Sequence, residues 1–464
     1  MAVTRRQFVF GSSLTATGLG LAGAALTGAG AAGTAQAAGT AAAAAQQRTP
    51  EVSKPAPAAN PQDWGWVRSQ FRLDSNYAHL SNFYIVSHPK PVRDAIDRYR
   101  QALDDNPFVF LEHHMFEKEE DMLWKKVMVA AAGYTGGKPE EIALTSSATM
   151  GLALIYNGLR LKPGQEILTT THDHYSHHES IRLAAAKSGT PVRQVSLYDT
   201  GAKADADEIV ARLKAGVRPA TRVVGVTWTH SNTGVRIPVR RIADALADIN
   251  KTRDEADRAL LVVDGTHAFG AVEEQVASTG CDFFASGTHK WILAPRGTGI
   301  VWARAERWAL VQPTIPTFMD LNVYVAWQEG KLPGPTTAAA MSPGGFFAYE
   351  HQWAAVEAFR FHEAIGRPRI AARVAELNTR IKEGLAKIPK VTLHTPKDPA
   401  LSAGINCFEV AGIAPGDVVA KLLDRRIIAS TSPYKVTYPR LSAGIMNTPE
   451  EIDRALAAVR ALAV

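Results

Sequence analysis

Over residues 105–335 the chain alternates short apolar, β-branched runs with amphipathic helical ones, and few architectures accommodate that pattern. Runs 222–228 and 260–264 are apolar at nearly every position. Strands buried on both faces of a parallel sheet look like this; half-exposed strands alternate in and out. Runs 141–145, 166–170, 282–285 and 299–303 continue the strand series, with helical patterns at 149–159, 176–188 and 239–249. Upstream, 91–103 and 117–132 read as helices, the second ending before Gly133. The pattern predicts an α/β fold: a large, doubly wound, mostly parallel sheet domain over 105–335, with the segment 62–104 packing on both domains. After Gly344 helices dominate, at 349–365 and 368–388, with strands at 404–410 and 427–430 and a last helix at 448–462. That predicts a small α+β C-terminal domain over 336–464. With 464 residues, 46% hydrophobic and 21% charged, the chain is long enough for both domains, and disorder over most of it is excluded. Outside the N-terminus no uncharged apolar run is long enough to span a bilayer as a helix. Two cysteines, Cys281 and Cys407, exclude a disulfide framework and a cysteine metal site. The net charge of +6 is spread along the chain, which argues against a nucleic-acid partner.

Residues 1–37 differ in kind. Arg5-Arg6 precede Phe8-Val9-Phe10, a mildly apolar Ala/Gly/Leu/Thr run follows, and Ala35-Gln36-Ala37 is a small-x-small cleavage pattern. The segment resembles a twin-arginine (Tat) signal peptide. It implies the Tat translocase as a partner and a periplasmic or secreted mature protein. Proteins on that route cross folded, so a cofactor can be loaded beforehand. Residues 38–61 read as a disordered Ala/Gln/Pro linker.

Chemistry-bearing residues gather at three predicted strand ends. Ser286-Gly287-Thr288-His289-Lys290-Trp291 sets a lysine among small hydroxyl residues after an apolar strand, a setting for a Schiff-base lysine. Val262-Val263-Asp264-Gly265-Thr266-His267 puts a carboxylate at the carboxyl end of a buried strand, where it needs a cationic partner such as a protonated pyridinium nitrogen. Thr145 to Thr149 reads as strand, small-residue turn and helix start, whose free N–H groups suit a phosphate.

In this order the three pieces resemble the class V aminotransferases, pyridoxal 5'-phosphate (PLP) enzymes of fold type I. Thr229-His230-Ser231-Asn232-Thr233-Gly234 is similar to the turn whose Asn bonds the cofactor phenolate. His172-Asp173-His174-Tyr175 falls where the family places its ring-stacking side chain. Tyr438-Pro439-Arg440 and the following Asn447-Thr448-Pro449-Glu450-Glu451-Ile452-Asp453 resemble the carboxylate-binding arginine and its C-terminal signature. The resemblance implies Lys290 as the catalytic lysine and Asp264 on the pyridine nitrogen. It places the phosphate on Ser147, Ala148 and Thr149, with His289 and either Ser286 or Thr288 adding contacts. His174 stacks on the ring, with Tyr175 as the alternative; Asn232 bonds the phenolic oxygen, and His267 lies beside the ring. Arg440 and Asn82 bind substrate. A homodimer is also implied, with 342–353 near the partner's cofactor, although the family's usual Gly-Thr pair appears here as Ser342-Pro343-Gly344-Gly345.

Desulfurases of the family need a cysteine in the loop before the arginine, and residues 429–438 contain none. The likeness is strongest to the isopenicillin-N-epimerase-like branch. It implies transamination or epimerisation of an amino-acid-type small molecule or peptide, such as a siderophore or non-ribosomal peptide. A PLP-dependent lyase or decarboxylase and a non-catalytic binding protein are the alternatives. His172, His174, His177 and His178 with Asp173 and Glu179 also allow a zinc hydrolase, but the preferred reading assigns no metal.

Overall fold

In a computed structural model residues 60–463 are described; the expected signal segment, and the linker apart from residues 60–61, lie outside them. Strand β1 (Ala78–His79) comes first. Seven strands then build one sheet: β2 (Ile142–Thr145), β3 (Glu166–Thr170), β4 (Val192–Val195), β5 (Thr221–Thr227), β6 (Leu260–Asp264), β7 (Phe283–Gly287) and β8 (Gly299–Ala303), in the order β2-β8-β7-β6-β5-β3-β4. From β7 to β4 neighbours run parallel, while β8 is antiparallel to both β2 and β7.

The apolar runs form strands here because helices cover both faces. Val224, Val226, Leu261, Val263 and Phe284 point into one core, and Val223, Leu260, Val262, Phe283 and Ala285 into a second. Edge strand β4, Val192-Arg193-Gln194-Val195, alternates exposed and half-buried positions and has no continuous apolar run to announce it.

Strands β9 (Val391–Leu393), β10 (Asn406–Val410), β11 (Ile427–Ile428), β12 (Ser430–Thr431) and β13 (Pro439–Leu441) follow. Four of them make an antiparallel sheet in the order β12-β13-β10-β9, while β11 pairs parallel with β1. Helices Arg367–Ala386, Pro415–Asp424 and Pro449–Leu462 close a core around Leu377, Phe408, Leu422 and Ile452. The last helix starts on a capping box between Thr448 and Glu451, with Pro449 in its first turn. Helix Tyr349–Ile365 instead contributes Trp353 and Phe359 to a core of the large sheet.

The helix expected over 117–132 is displaced. His113–Glu117 winds as a π-helix, Glu119–Asp121 as a 3-10 turn, and the α-helix runs Leu123–Thr135. Its buried stripe begins only at Leu123 and Trp124, and Met122 before it is extended. Gly133 lies inside this helix; the end falls at Gly136, whose φ of 76° is the left-handed cap that glycine adopts without strain. No helix among the described residues is long and apolar enough to cross a membrane.

Candidate active site

The site lies at the carboxyl ends of the parallel strands, where ligands of open α/β sheets bind. Asp264 ends β6, in register with Thr227 on one side and Ala285 on the other. It is 3% exposed, and its Oδ1 accepts from the Thr266 amide (3.0 Å) and hydroxyl (2.6 Å). The turn after β7 carries Lys290. Burial pushes the Lys290 ammonium down to about 8; the Asp264 carboxylate opposes that shift and the Arg440 guanidinium adds to it. At neutral pH a larger share of this amine is therefore unprotonated than in an ordinary lysine, though most still carries its proton.

Ser286 and Thr288 are both buried and both already engaged. Ser286 Oγ donates to the Gly287 carbonyl (3.0 Å), and the Thr288 and Thr298 hydroxyls share a 2.6 Å hydrogen bond that ties the lysine turn to the start of β8. Each hydroxyl oxygen retains capacity to accept, but its proton is spent. His289 Nδ1 lies 3.5 Å from the Thr298 carbonyl, and burial lowers its pKa, with Lys290 adding to the effect.

Ser147 is the N-cap of helix Ala148–Gly158, its Oγ accepting from the Met150 amide at 3.1 Å. Its oxygen accepts from the helix while its proton stays free to donate, as do the first-turn N–H groups at Ala148 and Thr149. Thr149 is exposed. Gly299 lets this turn approach the lysine turn: a Cβ there would stand 2.9 Å from the Ser286 carbonyl oxygen and 3.0 Å from both Ser147 C and Thr145 Oγ1.

His174 caps helix Tyr175–Ser188 and accepts from the Ser176 amide on Nδ1 (3.2 Å), so the neutral ring carries its proton on Nε2. Burial lowers its pKa; Asp264 opposes, and Lys290 and Arg440 add, so all three lie within electrostatic reach. Tyr175 is 70% exposed. His267 faces Phe83 edge-on at 6.3 Å, and its pKa falls well below the ordinary value through burial, then Lys290 and Arg440.

Arg440, on β13, is 4% exposed. It donates to the Ser231 carbonyl (2.9 Å), Ser430 Oγ (3.1 Å) and the Thr431 carbonyl (2.8 Å), and lies 4.3 Å over the Phe83 ring. Asn82 lines a small cavity with Lys290, but its Nδ2 is occupied by the Ser442 carbonyl (3.2 Å) and Asn447 Oδ1 (2.7 Å).

Two neighbours, Tyr434 and Tyr156, carried little signal in the sequence. Tyr434, in the cysteine-free loop, bonds Ser231 Oγ at 2.7 Å and meets the His174 ring at 6.1 Å. Behind Asp264, the buried Tyr156 hydroxyl bonds His177 Nε2 at 2.7 Å, and His177 Nδ1 lies 3.3 Å from Thr227 Oγ1. The histidines of 172–178 serve separate partners: His172 stacks on Tyr198 at 3.9 Å and His178 Nε2 bonds the Thr170 carbonyl at 2.8 Å. Among the described residues no three His, Cys, Asp or Glu side chains are grouped to hold a metal. Both cysteines are buried, and burial pushes their thiols up to about 12, far from reactive.

These residues fit a pyridine-aldehyde phosphate. Asn232 Oδ1 and His267 Nδ1 are buried with no hydrogen-bond partner, an arrangement a polar ligand relieves. A half-turn of the Asn232 amide presents a donor instead. Asp264 offers a buried carboxylate to a ring nitrogen, and the Ser147 turn offers amides to a phosphate. Sheet, small domain and donor set together define a PLP-dependent enzyme of fold type I. Residues 87–455 match the family described as Aminotransferase class-V, and the chain belongs to that family. It is 28% identical over 418 residues to isopenicillin N epimerase of Streptomyces clavuligerus, covering 86% of this chain and 98% of that one. A probable cysteine desulfurase of Pyrococcus abyssi is 23% identical over 412 residues, covering 85% and 96%. Among solved structures, a C-DES mutant with glycine covalently linked to the PLP cofactor aligns with a TM-score of 0.74 at 21% identity, covering 85% of this chain and 98% of that one. The apo cysteine desulfurase of Thermococcus onnurineus NA1 gives 0.72 at 22%, covering 86% and 97%.

Proposed function

We propose that the chain is an exported epimerase that inverts the α-carbon of an amino-acid group on a small molecule or peptide, such as a siderophore or non-ribosomal peptide. The observation that carries the reading is the convergence of Lys290, Asp264, His174 and Arg440 at one set of strand ends, where Asp264 and Arg440 act through space on Lys290, and all three act on His174. The isopenicillin N epimerase of Streptomyces clavuligerus, aligned over 98% of its length, supports epimerisation, and the cysteine-free loop 429–438 weighs against sulfur transfer.

When bound, PLP supplies an electron sink for the pair left on Cα. Lys290 would hold the cofactor through Nζ and take the Cα proton on its own face, and inversion then requires a proton returned to the opposite face by solvent or a second donor. Asp264 would keep a proton on the ring nitrogen, Asn232 would bond the phenolic oxygen, and the first-turn amides at Ala148 and Thr149, with the Ser147 hydroxyl and His289, would hold the phosphate, while Ser286 and Thr288, whose protons are spent, would brace the lysine turn. His174 would cover the ring, and His267 would lie at its edge. Arg440 grips a substrate carboxylate, with Asn82 at the pocket wall.

The Tat translocase carries the folded enzyme to the periplasm. Two copies pair across a surface rich in exposed apolar side chains, among them Phe346 (75%) and Phe318 (38%), which a solvated monomer surface has little reason to hold together. Turnover of a panel of L-amino acids and peptides in D2O tests the reaction. The expected product is the D-epimer, deuterated at Cα, without oxo acid. Stoichiometric oxo acid with the amino group left on the cofactor would establish transamination instead.

A further inference from the structure

A cavity of about 880 Å3, lined by none of the active-site residues above, separates segment 271–275 from helix Arg367–Ala386. On its wall Lys382 is 2% exposed, and its Nζ donates to the Lys397 carbonyl (2.9 Å) and Ser402 Oγ (2.6 Å). Both partners are neutral. Among the described residues Lys382 forms no ion pair, although Asp398 and Glu383 act on it at longer range. A buried ammonium without a counterion is costly, and burial brings its pKa down to about 8. The remaining wall mixes apolar side chains, Ala371, Ala372, Ala375 and Ala403 among them, with charges of both signs. Arg367 lies over the Tyr134 ring at 4.4 Å and has a buried Nε with no partner, while Arg236 is paired with Glu274; Glu273 is exposed at the rim. Thr379 adds a hydroxyl, whereas the Asn378 amide and the Ser402 hydroxyl are already hydrogen-bonded within the protein.

We infer that this cavity binds a small oxyanion, a phosphate or a dicarboxylate, which takes the third N–H of Lys382 and supplies its missing counter-charge. The inference does not rest on the epimerase reading. The test uses borohydride-reduced holoenzyme, whose fixed cofactor keeps free phosphate out of the cofactor's own seat. Calorimetric titrations with inorganic phosphate and with succinate run against chloride at matched ionic strength. At least one of the two should bind saturably at one site per chain, and which one binds identifies the chemistry. Lys382→Met should weaken binding roughly ten- to a hundredfold, the loss of one charged hydrogen bond, and Lys382→Arg should recover most of it. Acylation of Lys382 by an N-hydroxysuccinimide ester, mapped by mass spectrometry in the unmutated protein, should be slowed by the same anion. The mapping requires no variant to fold. Absence of binding beyond chloride, undiminished binding by Lys382→Met, or labelling of Lys382 indifferent to the anion would overturn the inference.

Discussion

An amine attacks an aldehyde only when it is unprotonated, and Lys290 differs from an ordinary lysine in that respect. With its pKa near about 8 rather than 10.5, cofactor uptake by apoprotein should speed up with pH to a midpoint near 8 in stopped-flow absorbance. A midpoint near 10.5 would show an unperturbed lysine. The stability consequence has a definite sign. Between 8 and 10.5 the unfolded chain holds a proton on this residue that the folded chain has released, so apoprotein stability rises with pH across that window. Lys290→Met should remove its share of that rise in denaturant midpoints, leaving the share that Lys382 contributes over the same window. Arg440→Lys keeps the charge but loses the planar fork, and should cost roughly 1.5–3 kcal/mol in kcat/KM. The loss should fall on substrates with a free α-carboxylate and spare amines that lack one. Lys290 and Asp264 were legible because each follows a strand whose buried pattern is plain. The committed hydroxyls of Ser286 and Thr288, and the carbonyls gripping Arg440, depend on contacts between distant segments that no local pattern encodes.

At the scale of elements, the strand ends are brought together by close backbone approach. Gly299→Ala sets a methyl against the Ser286 carbonyl and the Ser147 backbone; overpacking of this kind costs about 1–3 kcal/mol. It should also weaken PLP binding, because it parts the phosphate turn from the lysine turn. Gly297→Ala is the control: its φ of 79° strains an alanine, but no atom lies within 4 Å of the added Cβ, so stability should fall slightly and PLP affinity should hold. Equal losses of affinity in fluorescence titrations would remove Gly299 from this role. The six central and antiparallel strands were readable because burial on both faces leaves long apolar runs. Edge strand β4, polar on its open side, was not. The helix after residue 117 was misplaced because Glu119–Asp121 continue a helical composition that the packing of Leu123 and Trp124 does not extend backwards.

At the scale of the whole molecule, the proposed export route has to be compatible with the chemistry. A chain that crosses the membrane folded can bring its cofactor with it. Replacing Arg5 and Arg6 together by lysine should therefore leave the enzyme in the cytoplasm, read by fractionation and by the N-terminal sequence of the periplasmic form, which should begin near Ala38. Unchanged periplasmic enzyme would refute the route. The central claim is that Lys290 carries the cofactor, and borohydride reduction of the holoenzyme followed by peptide mapping tests it most directly. The account predicts one reduced pyridoxyl group per chain, on Lys290. A label on another lysine, Lys382 included, with Lys290 unmodified would contradict it.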